Sequence, residues 1–290
     1  MSDCRLGLYN GAMPESLRIA FVYAHPDDGE FFAAGTLAKW TAAGHTVFAI
    51  CATNGDLGSK RRDVTRETLA ATRGAELGHA LSLLGGEAPI LLGFPDGFLR
   101  DHAAALRERL IYWFRRLRID RVVTFDPWKR YEIHPDHIEA GRMASEAAVF
   151  SCFPLLHPEH LVDGVEPVQP KEVWYMMPTE HRPNRVIDIS VTFQKKVESV
   201  LCHSSQIEML ADWFVRGADP HALSADQRAQ LQHGTATFLE GMARGVANMA
   251  PGLELAEAFF AQPVGPGHFQ NYQEMFMEAA GAPPAPPELG

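Results

Sequence analysis

Two tetrapeptides carry the residue types of a metal-assisted hydrolysis: His25-Pro26-Asp27-Asp28 and His134-Pro135-Asp136-His137. With 13 histidines and 20 prolines in 290 residues, composition alone predicts far less than one His-Pro-Asp triplet, so two of them point to chemistry. Imidazole nitrogen and carboxylate oxygen are common zinc ligands, and a catalytic zinc usually keeps three protein ligands and one open position. His25 and Asp28 are three apart in a turn stiffened by Pro26 and can converge on one point, while Asp27 between them projects differently. His134 and His137 are also three apart, around a proline suited to the first turn of a helix. A helix N-terminus there adds positive potential where an oxyanion could form. Either stretch alone would also read as a helix-starting turn capped by aspartate. At two strand ends of one sheet, the pair reads as a metal site.

The surrounding pattern supplies that sheet. Apolar and β-branched runs predict strands over 18–24, 45–52, 89–92 and 121–125. Helical spacing predicts helices over 31–43, 63–84 (stopped by Gly85-Gly86), 101–118 with Asp101 as N-cap, and 135–150. Alternating strands and helices with short connections predict an α/β fold, a Rossmann-like and mostly parallel sheet with helices on both faces. Ligands of such sheets bind beyond the C-terminal strand ends, where both His-Pro-Asp motifs fall. Further strands are expected over 172–177 and 185–189, a helix over 191–202, and a mainly helical C-terminal extension. The boundaries read as a core over 1–206, the extension over 207–275, and a Pro-rich, disordered tail over 276–290.

Composition narrows the partners. A formal charge of −10 disfavours nucleic acid and anionic membranes, which need clustered Lys and Arg. No apolar run of signal-peptide or membrane-spanning length is present. Cys4, Cys51, Cys152 and Cys202 lie far apart without a Cys-x-x-Cys pair, so they read as free or buried thiols in a cytoplasmic protein. No G-x-G-x-x-G or Walker-type motif opens a helix, which removes support for nucleotide binding. Two-metal phosphoester hydrolysis would need more carboxylates than the two motifs hold.

The sequence Ala24 to Glu30 (AHPDDGE) together with His134 to His137 resembles the zinc-dependent deacetylase family of LmbE and PIG-L proteins, which remove N-acyl groups from amino sugars. Supporting matches are Thr53 to Gly58 (TNGDLG), Arg73 and Glu76 ahead of Leu84-Gly85, Phe94 to Gly97 (FPDG), and His203-Ser204-Ser205-Gln206. The likeness spans about 18–206. It implies that His25, Asp28 and His137 bind one Zn²⁺ or another divalent ion per chain, that Asp27 is the general base, and that His134 is the electrophilic or acid partner. Asp136 is then a carboxylate orienting an imidazole, and Arg73 and Asp96 meet substrate hydroxyls. Some relatives carry tyrosine two residues before the first histidine of the second motif. Here that place is Glu132, with Tyr131 one residue further off, and either could take over.

The expected activity is removal of an N-acyl group, an acetyl first of all, from an amino-sugar-containing small molecule, with assembly into a homo-oligomer left open. Alternatives are an amidase of a thiol–sugar conjugate and a catalytically silent sugar-binding relative. His157 and His160 read as surface loop rather than a second metal site, and His203 as a structural group holding the late helix against the site. Tyr112-Trp113-Phe114 reads as core.

Overall fold

The computed structural model describes residues 16–178, 183–215 and 222–265. Cys4, His181, His221, His268 and the expected tail lie outside them. A seven-stranded sheet has the order β3-β2-β1-β4-β5-β7-β6, built from β1 (Arg18–Tyr23), β2 (Thr46–Thr53), β3 (Ile90–Phe94), β4 (Arg121–Phe125), β5 (Glu172–Met176), β6 (Arg185–Asp188) and β7 (Ala256–Pro263). Strands β1 to β5 pair in parallel, and β7 runs antiparallel to both of its neighbours. Residues Ile19 to Ala24 are fully buried, as a central parallel strand covered on both faces requires.

The helices are α1 (Asp28–Ala42), α2 (Arg66–Leu84), α3 (Ala103–Leu117), α4 (Pro135–Phe150), α5 (Glu159–Val162), α6 (Phe193–Leu201), α7 (Ser204–Ile207), α8 (Ala211–Phe214) and α9 (Ala225–Ala247). Helices α1 and α2 pack with α6, while α3 packs on α4. The strand order reverses between β1 and β4. The loops that leave these two strands are the ones that carry the His-Pro-Asp motifs, so both motifs sit at the switch point where open α/β sheets bind ligands.

Three elements depart from the sequence pattern. Helix α1 starts at Asp28 rather than near Phe31, because the first motif is itself the opening turn and Phe31 N bonds Asp27 O. Helix α3 starts at Ala103 after a 3₁₀ turn over Leu99–His102, and its N-cap is His102 instead of Asp101. Asp136 accepts the Leu99 amide and ties down that turn from a distant part of the chain. Within the extension read as mainly helical, β7 is a strand the pattern did not mark, and it inserts between β5 and β6. Its Ala- and Glu-containing sequence has no strong local strand signal, and non-local pairing decides its state.

The Gly85 cap is as the sequence indicates, in the left-handed region with φ of 78°. Cys51 is buried, and Cys152 and Cys202 are half-buried and free. Among the described residues no helix is long and apolar enough to cross a membrane.

Candidate metal centre and active site

The turn after β1 is closed by Asp28. Its Oδ2 accepts from Ala24 N (3.0 Å) and His25 N (2.7 Å), which leaves Oδ1 facing outward, 3.4 Å from His137 Nε2. His25 Nδ1 lies 3.5 Å from Asp28 Oδ2. Side chains from β1 and α4 thus meet around one carboxylate. Burial alone would raise the Asp28 pKa, but the imidazoles of His137 and His25 outweigh it and hold the group far below the usual carboxylate range. Burial likewise disfavours charge on His137, yet Asp28 and then Glu132 raise its pKa.

His25 Nε2 lies 3.1 Å from Asp96 Oδ1 and 3.4 Å from Asp136 Oδ2, without hydrogen-bond geometry to either. Asp136 is fully buried, and its two oxygens accept from Gly97 N (2.6 Å) and Leu99 N (3.1 Å). Asp96 Oδ2 accepts from Leu57 N. The imidazole that Asp136 meets is therefore His25 from the other motif, not its sequence neighbours. Two overlapping groups of donor atoms could hold a cation, His25 with His134 and His137, and His25 with Asp96 and Asp136.

Asp27 has φ of 138°, a left-handed backbone conformation that a non-glycine residue rarely takes. Arg73, itself buried, donates from Nη2 to Asp27 Oδ1 (3.1 Å) and Pro26 O (2.8 Å), and from Nη1 to Gly55 O (2.8 Å). The two glycines of TNGDLG make room for it, since a Cβ at Gly55 or Gly58 would collide with the guanidinium. Burial pushes the Asp27 carboxyl up to about 6 against the pull of Arg73.

His134 stacks on His137 with ring centres 4.5 Å apart, and Phe125 covers the His137 ring with centres 4.2 Å apart. Burial, then His25 and His137, lower the His134 pKa. Its Nδ1 is buried without a protein partner. Tyr131 is 88% exposed, whereas Glu132 turns inward beside His137.

The chain segment His203 to Gln206 braces this centre from behind. His203 is fully buried with Nε2 3.3 Å from Glu30 Oε2. Ser204 and Ser205 donate to Glu76, and Gln206 donates to Gly58 O. Sequence reasoning missed the buried pair Lys196–Glu257 (2.6 Å). Glu257 also accepts the Gly35 and Thr36 amides of α1, and Lys196 donates to Phe31 O. Lys196 sits among Gln194, Lys195 and Glu198, so nothing local marked it as buried.

His157, Glu159 and His160 also bring donor atoms together. There, Arg115 donates to the carbonyls of Ser151, Phe153 and Leu156 and faces His160 Nδ1 at 3.2 Å, while His160 Nε2 meets Glu108 at 3.3 Å. A guanidinium donor makes Nδ1 the acceptor, so Nε2 carries the proton and both ring nitrogens are engaged. Phe114 is buried in the core, with Trp113 packed against it.

A doubly covered, mostly parallel sheet with a carboxylate–imidazole cluster at its switch point defines an α/β protein with a hydrolase-type site. Residues 20–148 match the family model described as PIG-L: GlcNAc-PI de-N-acetylase. Diacetylchitobiose deacetylase of Thermococcus kodakarensis is 31% identical over 189 residues, covering 65% of this chain and 70% of that protein. The 1D-myo-inositol 2-acetamido-2-deoxy-alpha-D-glucopyranoside deacetylase of Mycobacterium leprae is 33% identical over 48% of this chain and 52% of its own length. The structure of N,N'-diacetylchitobiose deacetylase from Pyrococcus horikoshii superposes with a TM-score of 0.73 and 26% identity, covering 88% of this chain and 86% of that one. The chain belongs to the PIG-L/LmbE family of deacetylases.

Proposed function

We propose that the chain is a metal-dependent hydrolase that removes an N-acyl group, most simply acetyl, from an amino-sugar-containing small molecule. The observation that carries this reading is the convergence of Asp28 with His25 and His137 beside a separate, strained Asp27. His25, Asp28 and His137 are the residues that would hold the ion. Two imidazoles and a carboxylate kept anionic make a donor set suited to zinc. In the other group, His25 with Asp96 and Asp136, both Asp136 oxygens already accept backbone amides, from Gly97 and Leu99.

A bound divalent ion supplies Lewis acidity and lowers the pKa of water. Asp27 takes the proton of the attacking water and returns it to the leaving amine, a task for a carboxyl whose pKa lies nearer neutrality than usual. Arg73 holds Asp27 in place, and Asp96 supports the loop at Leu57; both act on the substrate side through these neighbours. His134 supplies an N–H to the developing oxyanion, helped by the N-terminus of α4. Asp136 orients His25.

The test is primary-amine release from N-acetylglucosamine, diacetylchitobiose and a thiol–sugar amide, alongside metal analysis. We expect about one zinc per chain, loss of activity on chelation, and recovery on adding zinc back. Asp27→Ala should keep the metal and lose roughly 10²- to 10⁴-fold in turnover, and His157→Ala should leave metal content unchanged. Activity indifferent to chelation, or near-normal turnover of Asp27→Ala, would remove the mechanism.

A further inference from the structure

The ring plane of His137 is set by two stacks: Phe125 lies against one face with an interplanar angle of 7°, and the other stack is with His134 at 16°. Stacking leaves one freedom open, because a half-turn about the Cβ–Cγ bond exchanges the two edges of the imidazole within nearly the same plane. What distinguishes the edges is charge. Asp28 Oδ1 stands 3.4 Å from Nε2, and Glu132 Oε1 stands 3.7 Å from Nδ1. The Glu132 carboxylate is itself held: Oε1 accepts from His134 N at 3.1 Å, and Oε2 pairs with Lys129 Nζ at 3.3 Å. Its side chain is only 15% exposed.

At 3.7 Å the Glu132–His137 contact is electrostatic, and a shift of roughly 0.8 Å would bring it to hydrogen-bond distance. A metal-ligating histidine almost always donates its other ring N–H to a carboxylate, carbonyl or water, which fixes the tautomer and the ring orientation. His25 Nε2 stands close to two carboxylates, Asp96 at 3.1 Å and Asp136 at 3.4 Å. Among the described residues, Glu132 is the carboxylate that faces the His137 edge away from Asp28. Its neighbour Tyr131 is exposed, with a left-handed φ of 63°.

We propose that Glu132 is a positioning residue of the metal centre: it keeps the proton of His137 on Nδ1, so that the Nε2 lone pair faces Asp28 and the ion. The inference rests on the reading of His137 as a ligand. The effect of Glu132 is on how firmly the ion is held.

The experiment is zinc affinity by competition with a chromophoric chelator, on the full chain, for wild type, Glu132→Ala, Glu132→Gln, Lys129→Met and His137→Ala. Glu132→Ala should bind zinc about 10- to 100-fold more weakly. Glu132→Gln keeps side-chain volume and an oxygen acceptor for the His134 amide, so it folds as wild type, and it should fall between. Lys129→Met, which retains the carboxylate, should stay near wild type. In the zinc-loaded wild type, ¹⁵N shifts of the His137 ring should show a protonated Nδ1. Wild-type affinity in both Glu132 variants with a large loss in His137→Ala overturns the role of Glu132 alone. Wild-type affinity in His137→Ala overturns the ligand reading beneath it. An Nε2-protonated ring in the loaded wild type overturns the tautomer assignment.

Discussion

Arg73 Nη2 donates to Asp27 Oδ1 at 3.1 Å and to Pro26 O at 2.8 Å, so one buried guanidinium holds both the carboxylate and the backbone of the first His-Pro-Asp turn. Lysine carries the charge but cannot span Asp27, Pro26 O and Gly55 O together. Arg73→Lys should therefore lower kcat by roughly 10- to 100-fold, as expected of a small misplacement of the proposed base Asp27, with a smaller change in KM. Steady-state kinetics check this, and an unchanged kcat would contradict the positioning role of Arg73.

The backbone of Asp27, with φ of 138°, stores strain that glycine would not feel. Removing the carboxylate by two routes separates the side chain from the backbone. Asp27→Gly should be more stable than Asp27→Ala by about 1 kcal/mol, the relief of one strained residue less the extra freedom of glycine in the unfolded chain. Urea unfolding of the metal-free proteins measures the difference. Equal stabilities, or the reverse order, would mean that the strain is no larger than the freedom glycine adds to the unfolded chain.

His203 and Glu30 form a fully buried pair. Burial lowers the His203 pKa, but Glu30, Asp27 and Glu76 together raise it above the ordinary histidine value. A folded-state pKa above the unfolded one means that the native state binds the proton more tightly. The stabilisation is fully present below the unfolded value of about 6.5 and is lost as pH rises through the folded pKa. The stability gap between wild type and His203→Gln, measured in chelator by denaturant titration from pH 6 to 9, should narrow with rising pH. A gap that is constant across this range would refute the charged pair.

Helix α4 carries His137 and lies close against β4 at Gly141, where an added Cβ would collide with the Phe125 carbonyl. Backbone cannot yield as a flexible side chain can. Gly141→Ala should cost about 1–3 kcal/mol and, because Phe125 stacks on His137, should weaken zinc binding as well. Thermal unfolding with and without zinc reads both effects, and a variant as stable as wild type would show that α4 and β4 are free to part.

Much of this site was legible in the chain because its parts are local. His25 and Asp28 share one turn, His134 and His137 share one helix start, and each follows a strand recognisable by its apolar run. The positions of Arg73 and Glu76 were visible, but their work was not, since Arg73 reaches back 46 residues to Asp27 and Glu76 receives Ser204 and Ser205 from 128 and 129 residues away. The Lys196–Glu257 pair was invisible for the same reason, its members lying 61 residues apart on α6 and β7.

From the sequence alone came the α/β class, the two motifs and their kinship with a deacetylase family, because hydrophobic period and motif spacing are properties of neighbouring residues. Tertiary structure alone decided that Asp136 meets His25 rather than the histidines beside it, that Glu132 and not Tyr131 faces His137, and that β7 joins the sheet between β5 and β6. Each of these depends on which distant segments pack together. That choice rests on burying surface and satisfying polar groups across the whole chain, so no local window of residues can encode it.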